Sequence, residues 1–259
     1  MNNMRERLRS NLPIIGTFLG IAIPQMVEMI GNADLDFIGV DAEHTPVGRH
    51  QLEELVRAGD AVGKPTLIRV PTHESDWIAS ALDAGAAGII APRIETVEQA
   101  QAAVSAFRFP PVGRRGCGPS RATAYGQRLF QYVESANDNL VLALMIETAD
   151  GLANLEKIVD VPGFDAIIIG PGDLSLSLGA FTPEGRPRLE AAIAKIVDTC
   201  KAKGIAVGQF LFDTAEVRPA IDRGMTFIIA PSDTLFIQRG LATAFKDISE
   251  LRLKMETAQ

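Results

Sequence analysis

Only two cysteines, Cys117 and Cys200, stand among the 259 residues. They neither cluster as metal ligands nor imply a disulfide framework. Histidine is as scarce: His44, His50 and His73 are the whole set, and no two have the spacing of a zinc site. No apolar run approaches the roughly 18 residues that a membrane helix needs. The opening segment Met1–Pro13 carries Arg5, Arg7 and Arg9 but also Glu6, and the short apolar stretch after it is broken by Gly16 and Gly20. That makes a poor signal peptide, and cytoplasmic location is the resulting expectation. Positive charge is in deficit as well. A formal net charge of −7 argues against nucleic acid or an anionic membrane as the main partner. The phosphate-cradling G-x-x-x-x-G-K-[ST], the nucleophile elbow G-x-S-x-G and the redox pair Cys-x-x-Cys are all missing.

What remains is an ordinary globular composition, 47% hydrophobic and 22% charged. Short apolar, β-branched runs alternate with longer amphipathic stretches from end to end. Eight runs read as strands: Ile14–Phe18, Phe37–Asp41, Thr66–Arg69, Gly88–Ala91, Leu140–Ile146, Ala166–Ile169, Ala206–Phe210 and Phe227–Ala230. Each is apolar almost throughout, as parallel strands buried on both faces require. A helical pattern follows every one. Thr96–Gln99 and Asp213–Glu216 fit capping boxes, Thr182–Pro183 puts proline where a first helical turn tolerates it, and Gly63, Gly204 and Gly224 fall where helices end. The longest irregular piece is Phe109–Gly126, with a further helix to about Asn137. No linker divides the chain. A single (β/α)8-barrel domain spanning residues 1–259 is the expected architecture, ahead of an open doubly wound sheet, which usually carries a clearer Gly-rich nucleotide turn.

In such barrels chemistry sits at the C-terminal ends of the strands. Strand two ends in Asp41–Ala42–Glu43–His44, strand three in Arg69, strand five runs into Glu147–Thr148, and strand six into Gly170–Pro171–Gly172–Asp173. Glu147 and Asp173 end neighbouring strands, so their carboxylates can converge as a hard-oxygen site for a divalent cation. Two helix caps or ion-pair partners would look the same from position alone. Asp41 can orient the ring of His44 and raise its basicity as a general base, although a structural histidine is the plain alternative. Arg69, a permanent charge at the end of a buried strand, needs an anionic partner, either a substrate oxyanion or an acid of the barrel mouth. The Gly170–Asp173 turn exposes N–H groups that can hold a carboxylate, or it is only a tight turn. No lysine ends a strand, so Schiff-base chemistry is not expected.

At these residues the chain resembles the HpcH/HpaI aldolase family of class II pyruvate aldolases, from about Ile15 to Phe245. The resemblance rests on Phe37–Pro46 (FIGVDAEHTP), Ile68–Pro71, Ala81–Ala86, Glu95–Ala100, Phe109–Gly116, Ile146–Thr148 and Ile169–Ser175, in this order and spacing. It implies reversible cleavage of a 4-hydroxy-2-oxo acid to pyruvate or hydroxypyruvate and an aldehyde, through an enolate. It implies a divalent ion (Mg²⁺, Mn²⁺ or Co²⁺) on Glu147 and Asp173, and no organic cofactor. His44 matches the general base, Arg69 the residue that steadies the enolate oxygen, and Asp83 an acid that strengthens the base. Gly172 and Asp173 match positions whose backbone meets the substrate carboxylate. The resemblance also implies a homohexamer, a trimer of dimers. Met145 departs from the pattern, since many members carry glutamine there, and this bears on substrate binding. Gly118–Arg121 and Tyr125 lie in the variable loop that would face the aldehyde. The rival readings are a citrate-lyase-β or malyl-CoA-type lyase and a non-catalytic barrel that binds a small acid.

Overall fold

The computed structural model describes residues 4–257; Met1–Asn3 of the opening segment lie outside the described residues. Eight parallel strands, β1 (Ile14–Leu19), β2 (Phe37–Asp41), β3 (Thr66–Arg69), β4 (Gly88–Ala91), β5 (Val141–Ile146), β6 (Ala166–Ile169), β7 (Ala206–Phe210) and β8 (Phe227–Ala230), pair in sequence order and close into a barrel. All eight expected strands are present; β1 runs one residue further and β5 starts one later than the sequence suggests. The helices are α1 (Met4–Arg9), α2 (Pro24–Gly31), α3 (Arg49–Ala61), α4 (Ser75–Asp83), α5 (Val97–Phe107), α6 (Leu129–Asn139), α7 (Ala149–Ala153), α8 (Leu155–Ile158), α9 (Pro171–Ser177), α10 (Arg186–Ala202), α11 (Val217–Asp222) and α12 (Asp233–Thr257). The chain is a (β/α)8 barrel.

Local signals explain several boundaries. Thr96 Oγ1 accepts from the Gln99 amide at 3.3 Å and Gln99 Oε1 accepts from the Thr96 amide at 3.1 Å, closing the capping box that starts α5. Asp213 and Glu216 form the second box, which opens a short 3-10 turn ahead of α11. Gly63, Gly204 and Gly224 have φ of +69°, +66° and +96°, the left-handed geometry of a helix stop.

Successive side chains on a strand point to opposite faces, and the core divides accordingly. On β5, Val141, Ala143 and Met145 belong to the cluster inside the barrel, while Leu142, Leu144 and Ile146 pack outward under the helices. On β6 the inward pair is Ala166 and Ile168. Continuing the count by twos turns Glu147 and Gly170 inward at the top of the barrel. Phe18, Phe37 and Leu67 share the interior, and the same count turns Asp41 on β2 and Arg69 on β3 inward. Met4 and Leu8 of α1 close the bottom of the interior. Just beside them Asp165 accepts from Arg5 Nε and from Arg108 Nη2, each at 2.5 Å, and from the Leu142 amide at 2.9 Å.

The segment between α5 and β5 contains a 3-10 turn, Arg121–Thr123, and α6. It lies at the N-terminal ends of the strands, where Arg121 donates to the Ala84 carbonyl and pairs with Asp60. At the other extreme α12, the longest helix, exposes Ile237, Leu241, Phe245 and Ile248 along one face. No helix among the described residues is long and apolar enough to cross a membrane.

Candidate active site

A cavity of about 390 Å³ opens at the C-terminal ends of the strands, and its lining includes Asp41, His44, Arg69, Met145, Glu147, Gly172 and Asp173. These seven residues, all singled out from the sequence, therefore meet at one mouth. A larger hollow of about 950 Å³ lies at the opposite end, bordered by Leu35, Pro65, Ala87 and Leu140, the residues that precede strands. Of the residues singled out from the sequence, Arg121 and Tyr125 line it.

Glu147 is 1% exposed. Its Oε1 accepts from the Arg93 amide at 2.8 Å, while Oε2 is buried without a hydrogen-bond partner. Burial first, then the nearby charges of Glu43 and Asp173, push its pKa up to about 7 against the partial relief from the Arg93 amide and Arg69. The Arg93 amide reaches it because Arg93 holds a φ of +52°, which turns the chain sharply after β4. Gly170 makes room on the other side. A Cβ there would lie 2.4 Å from Glu147 Oε2 and 2.8 Å from its Cβ, so only glycine fits beside the carboxylate. Asp173, half exposed in the first turn of α9, comes within 4.0 Å of His44 Nε2.

Arg69 is clamped. Asp41 accepts from its Nε at 3.0 Å and its Nη2 at 2.7 Å, Glu43 Oε2 stands 3.3 Å from Nη1, and the Phe18 ring centroid is 4.8 Å from the guanidinium carbon. Burial alone would depress the Arg69 pKa, but the two acids raise it, so the group stays charged. Burial likewise works against Asp41, yet Arg69 and the amides of His44 and Glu43 hold its carboxyl below the usual range.

This changes the role of Asp41. Its place in the sequence suggests that it orients the ring of His44; instead it accepts from the His44 backbone at 3.2 Å and spends both oxygens on Arg69. The acid nearest the imidazole on the same loop is Glu43, with Oε2 3.9 Å from Nε2. The His44 ring is largely exposed at the rim. Asp83 is not at the mouth at all. It is the last residue of α4, which runs back toward the N-terminal ends of the strands, and it pairs at 3.0 Å with Arg115, buried between the rings of Phe109 and Tyr132. Gly118–Arg121 and Tyr125 sit at that same far end, with the Tyr125 hydroxyl on Arg57. Within one protomer, neither Asp83 nor this loop reaches the cavity.

The donor set suits a hard cation. Two carboxylates converge, one of them buried with an unpaired oxygen, and no group of three His, Cys, Asp or Glu side chains able to hold an ion occurs among the described residues. An ion here would complete its shell with substrate and water oxygens.

Residues 15–238 match the HpcH/HpaI aldolase/citrate lyase family. The chain belongs to that family. The hydroxypyruvate/pyruvate aldolase of Paraburkholderia phytofirmans is 33% identical over 254 residues, covering 95% of this chain and 97% of its own. The 2-dehydro-3,6-dideoxy-6-sulfogluconate aldolase of Pseudomonas putida is 37% identical over 226 residues, 87% of this chain and 88% of its own. The crystal structure of a HpcH/HpaI aldolase/citrate lyase family protein from Burkholderia cenocepacia superposes with a TM-score of 0.90 at 33% identity, covering 96% of this chain and 100% of that one.

Several residues of this HpcH/HpaI site carry no obvious sign in the sequence. Glu43 stands inside the Asp41–His44 motif, but nothing in its spacing says that it turns toward Arg69. Phe18, Phe210 and Phe212 line the cavity, and in an apolar barrel they read as core. Asp233 is buried and accepts from the amides of Gly20 and Ile21, both at 2.8 Å, across more than two hundred residues of chain. Counting strand positions by twos would have singled out Phe18 and Phe210; the Asp233 contact leaves no local pattern.

Proposed function

We propose that the chain is a divalent-metal-dependent aldolase that reversibly cleaves 4-hydroxy-2-oxo acids to pyruvate, or hydroxypyruvate, and an aldehyde. The observation that carries this reading is the unpaired, buried Oε2 of Glu147 beside Asp173, with His44 and Arg69 across the same cavity. Glu147 and Asp173 would hold the ion. When bound, it supplies Lewis-acid polarisation of the 2-oxo acid's carbonyl. The rest falls to the chain. His44 takes the proton of the C4 hydroxyl, the C3–C4 bond breaks to release the aldehyde, and its electron pair moves toward the C2 oxygen. Arg69, fixed by Asp41 and Phe18 before substrate arrives, faces the oxygen on which that charge develops. A proton then returns to C3 and gives the neutral 2-oxo acid. At the first turn of α9, which no side chain caps, the amides of Gly172 and Asp173 are available to the substrate carboxylate.

The resemblance gives Asp83 a part beside His44, and the two lie at opposite ends of one protomer. The acid would then come from a second copy, in a homo-oligomer whose expected form is a trimer of dimers. The exposed apolar face of α12 supports such an assembly.

Deuterium exchange at C3 of pyruvate, followed by NMR, tests the chemistry without knowing the aldehyde. Chelated enzyme is expected to be inert, and Mg²⁺, Mn²⁺ or Co²⁺ to restore exchange. Arg69→Ala is expected to slow it by roughly a hundredfold or more. Absence of exchange with every ion, on pyruvate and on hydroxypyruvate, would move the assignment to a CoA-thioester lyase or an acid-binding barrel.

A further inference from the structure

Arg69 faces more negative charge than it can neutralise. Asp41 accepts from its Nε at 3.0 Å and its Nη2 at 2.7 Å, a two-point grip that already balances the guanidinium. Glu43 is a second acid on the same group. Its Oε2 stands 3.3 Å from Nη1, yet that oxygen is buried without a hydrogen-bond partner. The imidazole of His44, with Nε2 3.9 Å away, is too far to donate to it. Glu147 Oε2 is in the same condition, buried and unpaired on a residue 1% exposed. The two acids are neighbours: after burial itself, the charge of Glu43 does more than that of Asp173 to raise the Glu147 pKa.

A second copy of the chain does not supply the missing partner. Both oxygens are already shut off from the surface within one protomer, so a residue that another copy brings to the mouth cannot touch them. Nor is Glu43 a ligand in its own right, because no three His, Cys, Asp or Glu side chains among the described residues are grouped closely enough to hold an ion. Two unpaired carboxylates in one buried corner are costly unless further positive charge comes to rest beside them. Arg69 brings one such charge, and Asp41 consumes it.

We propose, resting on the reading of Glu147 and Asp173 as ion ligands, that Glu43 is a positioning residue for the divalent cation, a third acid that strengthens its binding by charge without coordinating it.

The test titrates Mn²⁺ into the chelated full chain, without substrate, and reads affinity by calorimetry. Glu43→Gln keeps the shape of the side chain and removes its charge, whereas Glu43→Asp keeps the charge. Glu43→Gln is expected to weaken Mn²⁺ binding by roughly tenfold or more, and Glu43→Asp by no more than about threefold. Thermal unfolding of the chelated proteins supplies a second readout. Asp41 still holds Arg69 in the variant, so removing a buried, unpaired charge should leave ion-free Glu43→Gln as stable as the wild type or more so. Unchanged affinity in Glu43→Gln overturns the proposal, as does an equal loss in Glu43→Asp. An ion-free Glu43→Gln less stable than the wild type also overturns it, since Glu43 would then be a structural partner of Arg69. The wild type separates the two levels. Ion binding that is indifferent to Glu43 sinks this proposal alone; no ion binding sinks the reading of Glu147 and Asp173 and this proposal with it.

Discussion

A methyl group on Gly170 would fall 2.4 Å from Glu147 Oε2, inside any permitted contact, so the carboxylate would have to turn away. Gly170→Ala is therefore expected to weaken divalent-ion binding by roughly tenfold or more, read by calorimetric titration, although residue 170 touches no ligand itself. The two thiols differ in the same local way. Cys117 is exposed, whereas Cys200 is buried, and burial pushes its thiol up to about 12. A raised thiol pKa keeps the reactive thiolate scarce below that value, so at about pH 8 one thiol per native chain is expected to react with a disulfide reagent. The second should appear only after unfolding; two rapid equivalents in the native protein would contradict the burial of Cys200.

At the level of elements, strand ends and helix starts do different work. The capping box of Thr96 and Gln99 satisfies two backbone donors at the start of α5, so Thr96→Ala is expected to cost about 1 kcal/mol in urea unfolding. It should leave pyruvate exchange intact, because the α5 cap lies outside the cavity lining. The strands were legible because each is a short apolar run, and buried parallel strands leave little else to read. His44, Arg69, Glu147 and Asp173 were legible for the complementary reason: a polar side chain at the end of an apolar strand contributes little to packing and stands where barrel chemistry is done. Asp41 was not. Its position marked it as part of the site, but whether its side chain met an imidazole or a guanidinium depended on the distance from β2 to β3. The place of Asp83 within one chain was also open to inference. It ends a helix that runs back down the barrel, and a helix returning from the mouth must finish at the floor.

The whole molecule leaves one face unfinished. Ile237, Leu241, Phe245 and Ile248 recur at helical spacing along α12 and stay exposed in the single chain. Sedimentation is expected to give a mass well above the 27.8 kDa of one chain, and Leu241→Glu to reduce it. Complementation addresses the division of labour between copies. His44→Ala and Asp83→Asn should each be nearly inactive alone. Mixed by denaturation and refolding, they should regain up to about a quarter of wild-type activity if each site draws its histidine and its acid from different chains. No recovery would rule out a site shared between chains, and an active Asp83→Asn would place Asp83 outside the chemistry. Apart from the homohexamer that the family resemblance implies, the residues spoke to none of this geometry, because a surface that meets a copy of itself and a surface facing water use the same one-letter code.

Asp233 stands at the start of α12 and grips the amides of Gly20 and Ile21, while Ser232 and Thr234 on either side of it line the mouth. The helix with the bare face and the loop beside the cavity thus share one anchor. In the proposed homo-oligomer, protein concentration would become a chemical variable: chains parting on dilution would take from the anchor whatever steadies its helix, and the mouth would loosen with it. Specific activity measured at nanomolar and at micromolar enzyme would then describe two different catalysts.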